Sequence, residues 1–523
     1  MAKNRTILVL LFLISGARVE GAFGLQSAKK EAGKKTRQSA VKVEATALSY
    51  KMLSEKIQVA LISPDCSRFI MLLADFLKGA EKPVVVSVDG DRKEYPNFDV
   101  NSIRFSKDSK RYGFAAWNGG KFQMVVDGQP VGVPAEVATG LVFSPDGQKY
   151  SYVAGIQGSV SVANTSDPKF RVIQSLTFST DSKRLAYMGS KGKHGRGASL
   201  VVDGKVIAED AHEFPQSLFI GPQRAMIVLT KADGKYVFDG NEIEGPYYDV
   251  PFYTLSENGA DSLCVIQKGE RDRQQLFVNS RKILDFDEAL AVSWSSRQEK
   301  SICVVRDGEL EKAYVGEKLV GEGKNLEELT PMGNNGVGFI KKDPIAGDQL
   351  FIDGKPAFQA KGLVLVRLDV SDEGNAWGVA SIAPKGEPGD KILACIINGK
   401  TSKKYNDLTR VSFSSNGKHW AYGAWDENDY YIITPENSYG PYDSNGSPPK
   451  MSPDGKHFVF FGSTQDGQTG IFVDGELLFE SLAPVDAGNE RWMAFEEDSA
   501  LNAVVIFSQK RLSLNFMQVR FSW

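Results

Sequence analysis

Five acids, each set just after an aromatic residue, are the first candidates for chemistry: Phe98-Asp99, Tyr248-Asp249, Phe286-Asp287, Tyr405-Asn-Asp407 and Tyr442-Asp443. Each Asp stands about nine to eleven residues ahead of a recurrent Ser-Pro-Asp-type turn, so all five occupy equivalent places in a repeated unit. A set of carboxylates presented in this way could hold a cation or a hydroxyl-rich ligand. Equally, each Asp could accept backbone N–H bonds and tie its own loop to the neighbouring unit.

Asp407 and Asp443 bracket a second candidate, Trp425-Asp-Glu-Asn-Asp-Tyr430. If this segment is a loop on the same side, then Asp407, Trp425, Asp426, Asp429, Tyr430 and Asp443 converge. An aromatic plate beside carboxylates suits a sugar or a basic peptide, because the ring covers C–H or cationic surface while the acids accept hydrogen bonds. The alternative is a polar hairpin tip with its aromatics packed beneath it. Lys191-Gly-Lys-His-Gly-Arg196-Gly has the opposite charge, but it lacks the strand-to-helix setting of a phosphate loop and reads as a solvated hairpin.

Other chemistries have less to build on. The four histidines, His194, His212, His419 and His457, are scattered, and His419 and His457 follow the same Gly-Lys pair in successive units, which makes them surface-facing parts of the repeat. Neither a His-Glu-x-x-His pattern nor a three-histidine cluster occurs, so neither a metal nor a cofactor is expected. Cys66, Cys264, Cys303 and Cys395 form no Cys-x-x-Cys pair and read as small core residues.

The elements that must position these residues repeat every 39 residues or so. The first turn of each unit is traced through Ser63-Pro-Asp65, Ser106-Lys-Asp108, Ser144-Pro-Asp146, Ser179-Thr-Asp181, Gly221-Pro-Gln223, Ser256-Glu-Asn258 and Ser295-Ser-Arg297. It continues through a poor copy near Asn334, then Ser371-Asp-Glu373, Ser414-Ser-Asn416, Ser452-Pro-Asp454 and a degraded copy near Glu497-Asp498. Pro presets the first central position of such a turn, Asp or Asn bonds back to the backbone, and Gly takes the left-handed position.

A second turn, usually Asp-Gly, follows in the same units at Asp89, Asp127, Asp203, Asp239, Asp353 and Asp474, with Asn398-Gly399 as a variant. These are two-residue hairpin signals. Each unit is therefore strand, turn, strand, longer loop, strand, hairpin, strand. The strands are apolar on both faces, as in Val84-Val-Val-Ser-Val88 and Phe458-Val-Phe-Phe461, so each small sheet must be covered on both sides by its neighbours.

These units resemble the WD40-like propeller repeat of the Ser-Pro-Asp-Gly type, as in the propeller of the TolB family, over about residues 57–523. The resemblance implies an all-β fold of tandem β-propellers with four-stranded blades, about twelve in number, and is nearly silent on function. Propeller peptidases are similar too, but they carry a Gly-x-Ser-x-Gly elbow that this sequence lacks. Two six-bladed rings, residues 57–290 and 291–523, are the simplest division, with seven plus five as the alternative. A closing strand could come from Ala45 to Lys56.

The ends and the composition bound the rest. Lys3 and Arg5 precede an apolar run, Ile7 to Ile14, followed by small residues up to Ala22, a secretory signal pattern for residues 1–22 too short for a permanent span; a retained anchor is the alternative. Residues 23–56, rich in Lys between Lys29 and Lys42, read as a basic tether. Lys plus Arg number 62 against 65 Asp plus Glu in 523 residues, which offers no electrostatic footprint for nucleic acid.

The expectation is an exported, periplasmic or extracellular, non-enzymatic scaffold that binds a protein or polysaccharide by its loop face. In a propeller the loops that carry Asp99, Asp249, Asp287, Asp407 and Asp443 would rim the mouth of the central channel, and a carbohydrate hydrolase or lyase using two of these acids is the alternative, which requires carboxylates held roughly 5 to 9.5 Å apart.

Overall fold

The computed structural model describes residues 19–21, 42–48 and 55–522, with interruptions, the longest at 76–83, 383–392 and 485–492. Most of the signal segment, most of the basic tether, the tip of the Lys191–Gly197 loop with His194, the Asp89-Gly90 hairpin, and the turn copies at Arg297, Asn334 and Glu497-Asp498 lie outside the described residues.

Among the described residues every regular element is a strand, and the strands form twelve antiparallel sheets, nine of them four-stranded. In the first sheet Glu55–Ile62, Phe69–Asp75, Val84–Val88 and Asp91–Tyr95 pair in sequence order, and the same meander recurs along the chain. The third sheet has three strands, and a single bridge from Val160 to Phe170 stands where its outer strand would be.

Stacking accounts for the two apolar faces. Alternate residues of a strand point to opposite sides, and in the fifth sheet Ala225, Ile227 and Leu229 pack toward Met188 and Leu200 of the fourth. Their neighbours Met226 and Val228 pack toward Val250 and Ile266 of the sixth. Clusters of this kind fill every successive interface from the first sheet to the twelfth. The interface around residues 290 and 291 is no exception: Leu263 and Phe286 of the sixth sheet share one core with Trp294 and Cys303 of the seventh.

The chain ends meet in the twelfth sheet. Lys42–Leu48, read from sequence as part of the tether, is a strand that pairs along its length with Ser513–Ser522. Its edge hydrogen bonds are met by the last strand, which is why a segment with few large apolar residues becomes ordered.

Among the described residues the first turn of nine of the sheets is built around a buried Ser. At Ser144 the hydroxyl donates to Asp146 Oδ1 (2.6 Å) and accepts from the Lys149 amide (2.8 Å), while Asp146 Oδ1 accepts from the Gln148 amide (3.0 Å). Ser452 and Asp454 repeat the arrangement. Turns also join one another: the Asp65 amide donates to Ser109 Oγ, and the Asp146 amide to Ser182 Oγ.

Hydrogen bonds to the carboxylate hold these acids low. Burial alone would raise Asp454, but Lys456, Ser452 and the Lys456 amide outweigh it and bring it to about 2. The Ser144 hydroxyl lowers Asp146, and the Ser179 hydroxyl lowers Asp181. A carboxyl depressed in the folded state contributes stability above its unfolded value of 3.8, and that contribution is lost as pH falls toward 2. The stability difference between the parent and Asp454→Asn should therefore shrink as pH falls from about 4 to about 2. Urea midpoints across that range test this, and a difference independent of pH would refute it.

Candidate functional site

In the tenth sheet Asp407–Leu408 and Ser412–Phe413 both pair with Trp420–Asp426, which turns through Glu427-Asn428 into Asp429–Ile433 and then Ser438–Asp443. Register sets the site. Asp407 lies opposite Trp425, Trp425 opposite Tyr430, and Tyr430 opposite Tyr442. The next rung carries Asp426 opposite Asp429 and Asp429 opposite Asp443. All six sequence candidates thus gather at one end of one sheet.

Their roles differ. Tyr430 is fully buried, its hydroxyl donates to the Ser447 carbonyl (2.8 Å), and burial pushes its phenol up. It cannot touch a ligand; it carries Trp425, whose ring lies 4.6 Å away centroid to centroid and is only half-buried. Close packing beneath the hairpin brings this about: Gly423 and Gly446 leave the space that the Tyr430 ring and hydroxyl fill. The aromatic plate is therefore Trp425 alone.

The acids are held from both sides. Lys403, on the outer strand of the ninth sheet, bonds Asp426 (2.8 Å) and lies over the Tyr405 and Tyr431 rings. Its hydrogen bond to Asp426 holds the ammonium above its usual range. Gln465 of the eleventh sheet donates to Asp429 Oδ1 (2.9 Å). Asn406 accepts the Glu427 amide (2.6 Å), and its own amide donates to the Trp425 carbonyl (2.7 Å), which pins the hairpin to the preceding loop. Asp407, Glu427 and Asp443 remain exposed.

Lys403, Asn406, Glu427 and Gln465 were not singled out by sequence. Asn406 could have been, since an Asn beside a strand start is a known cap for a nearby amide. Gln465 had no local signal, because its partner lies one sheet away.

The other acids do not join this group. Asp99 is half-buried and accepts the Asn101 amide (3.0 Å). Asp249 is ion-paired with Lys235 of the fifth sheet and accepts the Val250 amide. Asp287 meets Arg273 (3.3 Å) and the Gly308 amide (2.7 Å). These three fasten loops and adjoining sheets, the second of the two roles open to them from sequence.

Among the described residues no three His, Cys, Asp or Glu side chains converge into a metal-holding group. His457, read as surface-facing, is half-buried against Asp474 (2.7 Å). No disulfide joins the cysteines, and burial pushes their thiols up to about 12.

No protein-family model matches the chain, and no curated protein does. Solved structures do. A eukaryotic initiation factor is 13% identical, with 70% of this chain and 92% of that one covered and a TM-score of 0.32. The β-propeller domain of the Trilobed protease from Pyrococcus furiosus is 12% identical, with 50% and 93% covered and a TM-score of 0.25. The tricorn protease is 15% identical, with 89% and 49% covered and a TM-score of 0.23. The likeness concerns fold. The stacked four-stranded meanders make this chain an all-β protein of the β-propeller class with about twelve blades.

Proposed function

We propose that the protein is an exported, non-enzymatic propeller scaffold that binds a protein or polysaccharide partner at the tip of the tenth sheet. The observation that supports this reading is the gathering of Trp425, Asp426, Asp429 and Asp443 on adjacent rungs, above a buried Tyr430 that holds the Trp ring in place. A fixed aromatic plate beside acids loses little entropy on binding and takes a basic peptide or a sugar face. A cleavage reaction would need two acids poised across a channel, whereas Asp249 and Asp287 are engaged by Lys235 and Arg273. Among the described residues no helix is long and apolar enough to cross a membrane.

The test is capture of partners from the native envelope and secreted fractions, with a bait that keeps the Lys42–Leu48 strand. Loss of a central Trp contact costs about 2 kcal/mol or more, so Trp425→Ala with Asp429→Ala should lower partner affinity by at least about tenfold while the protein stays folded. Equal capture by parent and double variant would sink the proposal.

A further inference from the structure

At the other end of the sheets, where the first turns and the hairpins lie, a cleft of about 620 Å³ runs along the sixth, seventh and eighth sheets. Its lining includes Trp294, Lys300, Gly316 and Asp353 together with the aliphatic side chains of Val278, Ile283, Val315 and Val320.

Two departures from the repeat meet there. The first is Trp294, which stands immediately before the turn Ser. Equivalent sheets place Phe105, Phe143, Phe178, Leu255 and Phe413 at this position, none with a polar side-chain atom. Trp294 is 7% exposed, and among the described residues its buried indole N–H has no hydrogen-bond partner. A buried donor left unpaired carries a desolvation cost, which an acceptor reaching it from the cleft through a small shift of the Trp294 ring would remove.

The second departure is a divided ion pair. In the second, fourth and eleventh sheets the residue that closes the first turn pairs with the hairpin acid of the same sheet: Arg111 with Asp127 (2.8 Å), Arg184 with Asp203 (3.0 Å) and His457 with Asp474 (2.7 Å). The backbone bonds from Gly316 N to Ser301 O and from Ser295 N to Lys300 O identify the equivalents in the seventh sheet. Lys300 takes the cation position, but Gly316 takes the place of the acid. The eighth sheet has the reverse, with Asp353 as the acid and Gly336 in the cation position. Asp353 Oδ1 accepts the Val337 amide (2.9 Å), and neither Asp353 nor Lys300 has an ion-pair partner among the described residues.

We propose that this cleft binds an apolar α-amino-acid carboxylate, whether a free amino acid or the C-terminal residue of a peptide. The Trp294 N–H and the Lys300 ammonium take the carboxylate, Asp353 takes the α-ammonium or the terminal amide N–H, and the aliphatic wall takes the side chain. The site is independent of the tenth-sheet hairpin, which lies at the opposite end of the sheet meander.

The test is calorimetric titration of the full chain with leucine, Ala-Leu and leucine amide, against two variants. Trp294→Phe keeps the ring and removes the donor. Gly316→Asp restores the hairpin carboxylate opposite Lys300; its φ of 60° lies near the 50° to 52° of Asp127, Asp203, Asp353 and Asp474, and a Cβ there meets nothing within 4 Å. Leucine or Ala-Leu should bind at millimolar or better, leucine amide at least about tenfold more weakly, and both variants should lose about tenfold while their thermal midpoints hold. Binding of Ala-Leu alone identifies a peptide terminus as the ligand; binding of both carboxylates identifies the amino acid itself. The proposal is overturned if neither carboxylate binds, if leucine amide binds as well as leucine, or if Trp294→Phe leaves affinity unchanged.

Discussion

Tyr430→Ala should destabilise the protein by about 3 to 5 kcal/mol, the range for removing a large aromatic from a packed core. The ring is fully buried, lies 4.6 Å from Trp425 and 6.3 Å from Phe460, and fills space that Gly423 and Gly446 leave open. The neighbouring backbone cannot close over the resulting void, because the strands on either side are fixed by their own ladders. Tyr430→Phe removes only the bond to the Ser447 carbonyl and should cost about 1 kcal/mol. Urea midpoints separate the two effects. In the capture experiment Tyr430→Ala should also weaken the partner although it cannot touch it, since Trp425 loses its support. A Tyr430→Ala protein as stable as the parent would show that the hairpin is not seated on this ring.

Gly221→Ala is expected to cost about 3 kcal/mol or more, the upper end of overpacking. In the fifth sheet the first turn is shortened, and the Gly221 amide closes directly on the Arg224 carbonyl. The turns of the fourth and sixth sheets meet past it, where Thr180 Oγ1 donates to the Asn258 carbonyl (3.0 Å). A methyl on Gly221 would sit 1.9 Å from the Gly259 carbonyl oxygen and 2.6 Å from its Cα. These are backbone atoms and cannot rotate away. Gly221 does not use the left-handed region, so the penalty is contact rather than dihedral strain. Gly197→Ala is the control, with φ 64° and nothing within 4 Å, and should cost about 1 kcal/mol from conformation alone. Equal losses in the two variants would show that the turns of the fourth, fifth and sixth sheets are not in contact.

What could be read from the sequence was what nearest neighbours decide. Ser144-Pro-Asp-Gly147 closes on itself through its own hydroxyl, carboxylate and amides, so its turn is the same in any surroundings. The strands with two apolar faces required stacking, and the interface clusters are that stacking. The meeting of Asp407, Trp425, Asp429 and Asp443 followed from strand order in one sheet, and the register places them on adjacent rungs.

What needed the tertiary structure was every question about which neighbour a residue meets. A period of two says that a side chain leaves the strand on one side or the other, not whether a ring, a cation or water waits there. Hence Tyr430 turned out to be core, Asp249 and Asp287 turned out to hold cations, and His457 faced Asp474 rather than solvent. Lys42–Leu48 became a strand because the unpaired edge of Ser513–Ser522 stood beside it. The sequence by itself determined the repeat, its turns and its alternating strands, since those rest on bonds within a few residues. The structure decided burial, pairing and closure, since those depend on groups brought together from distant parts of the chain.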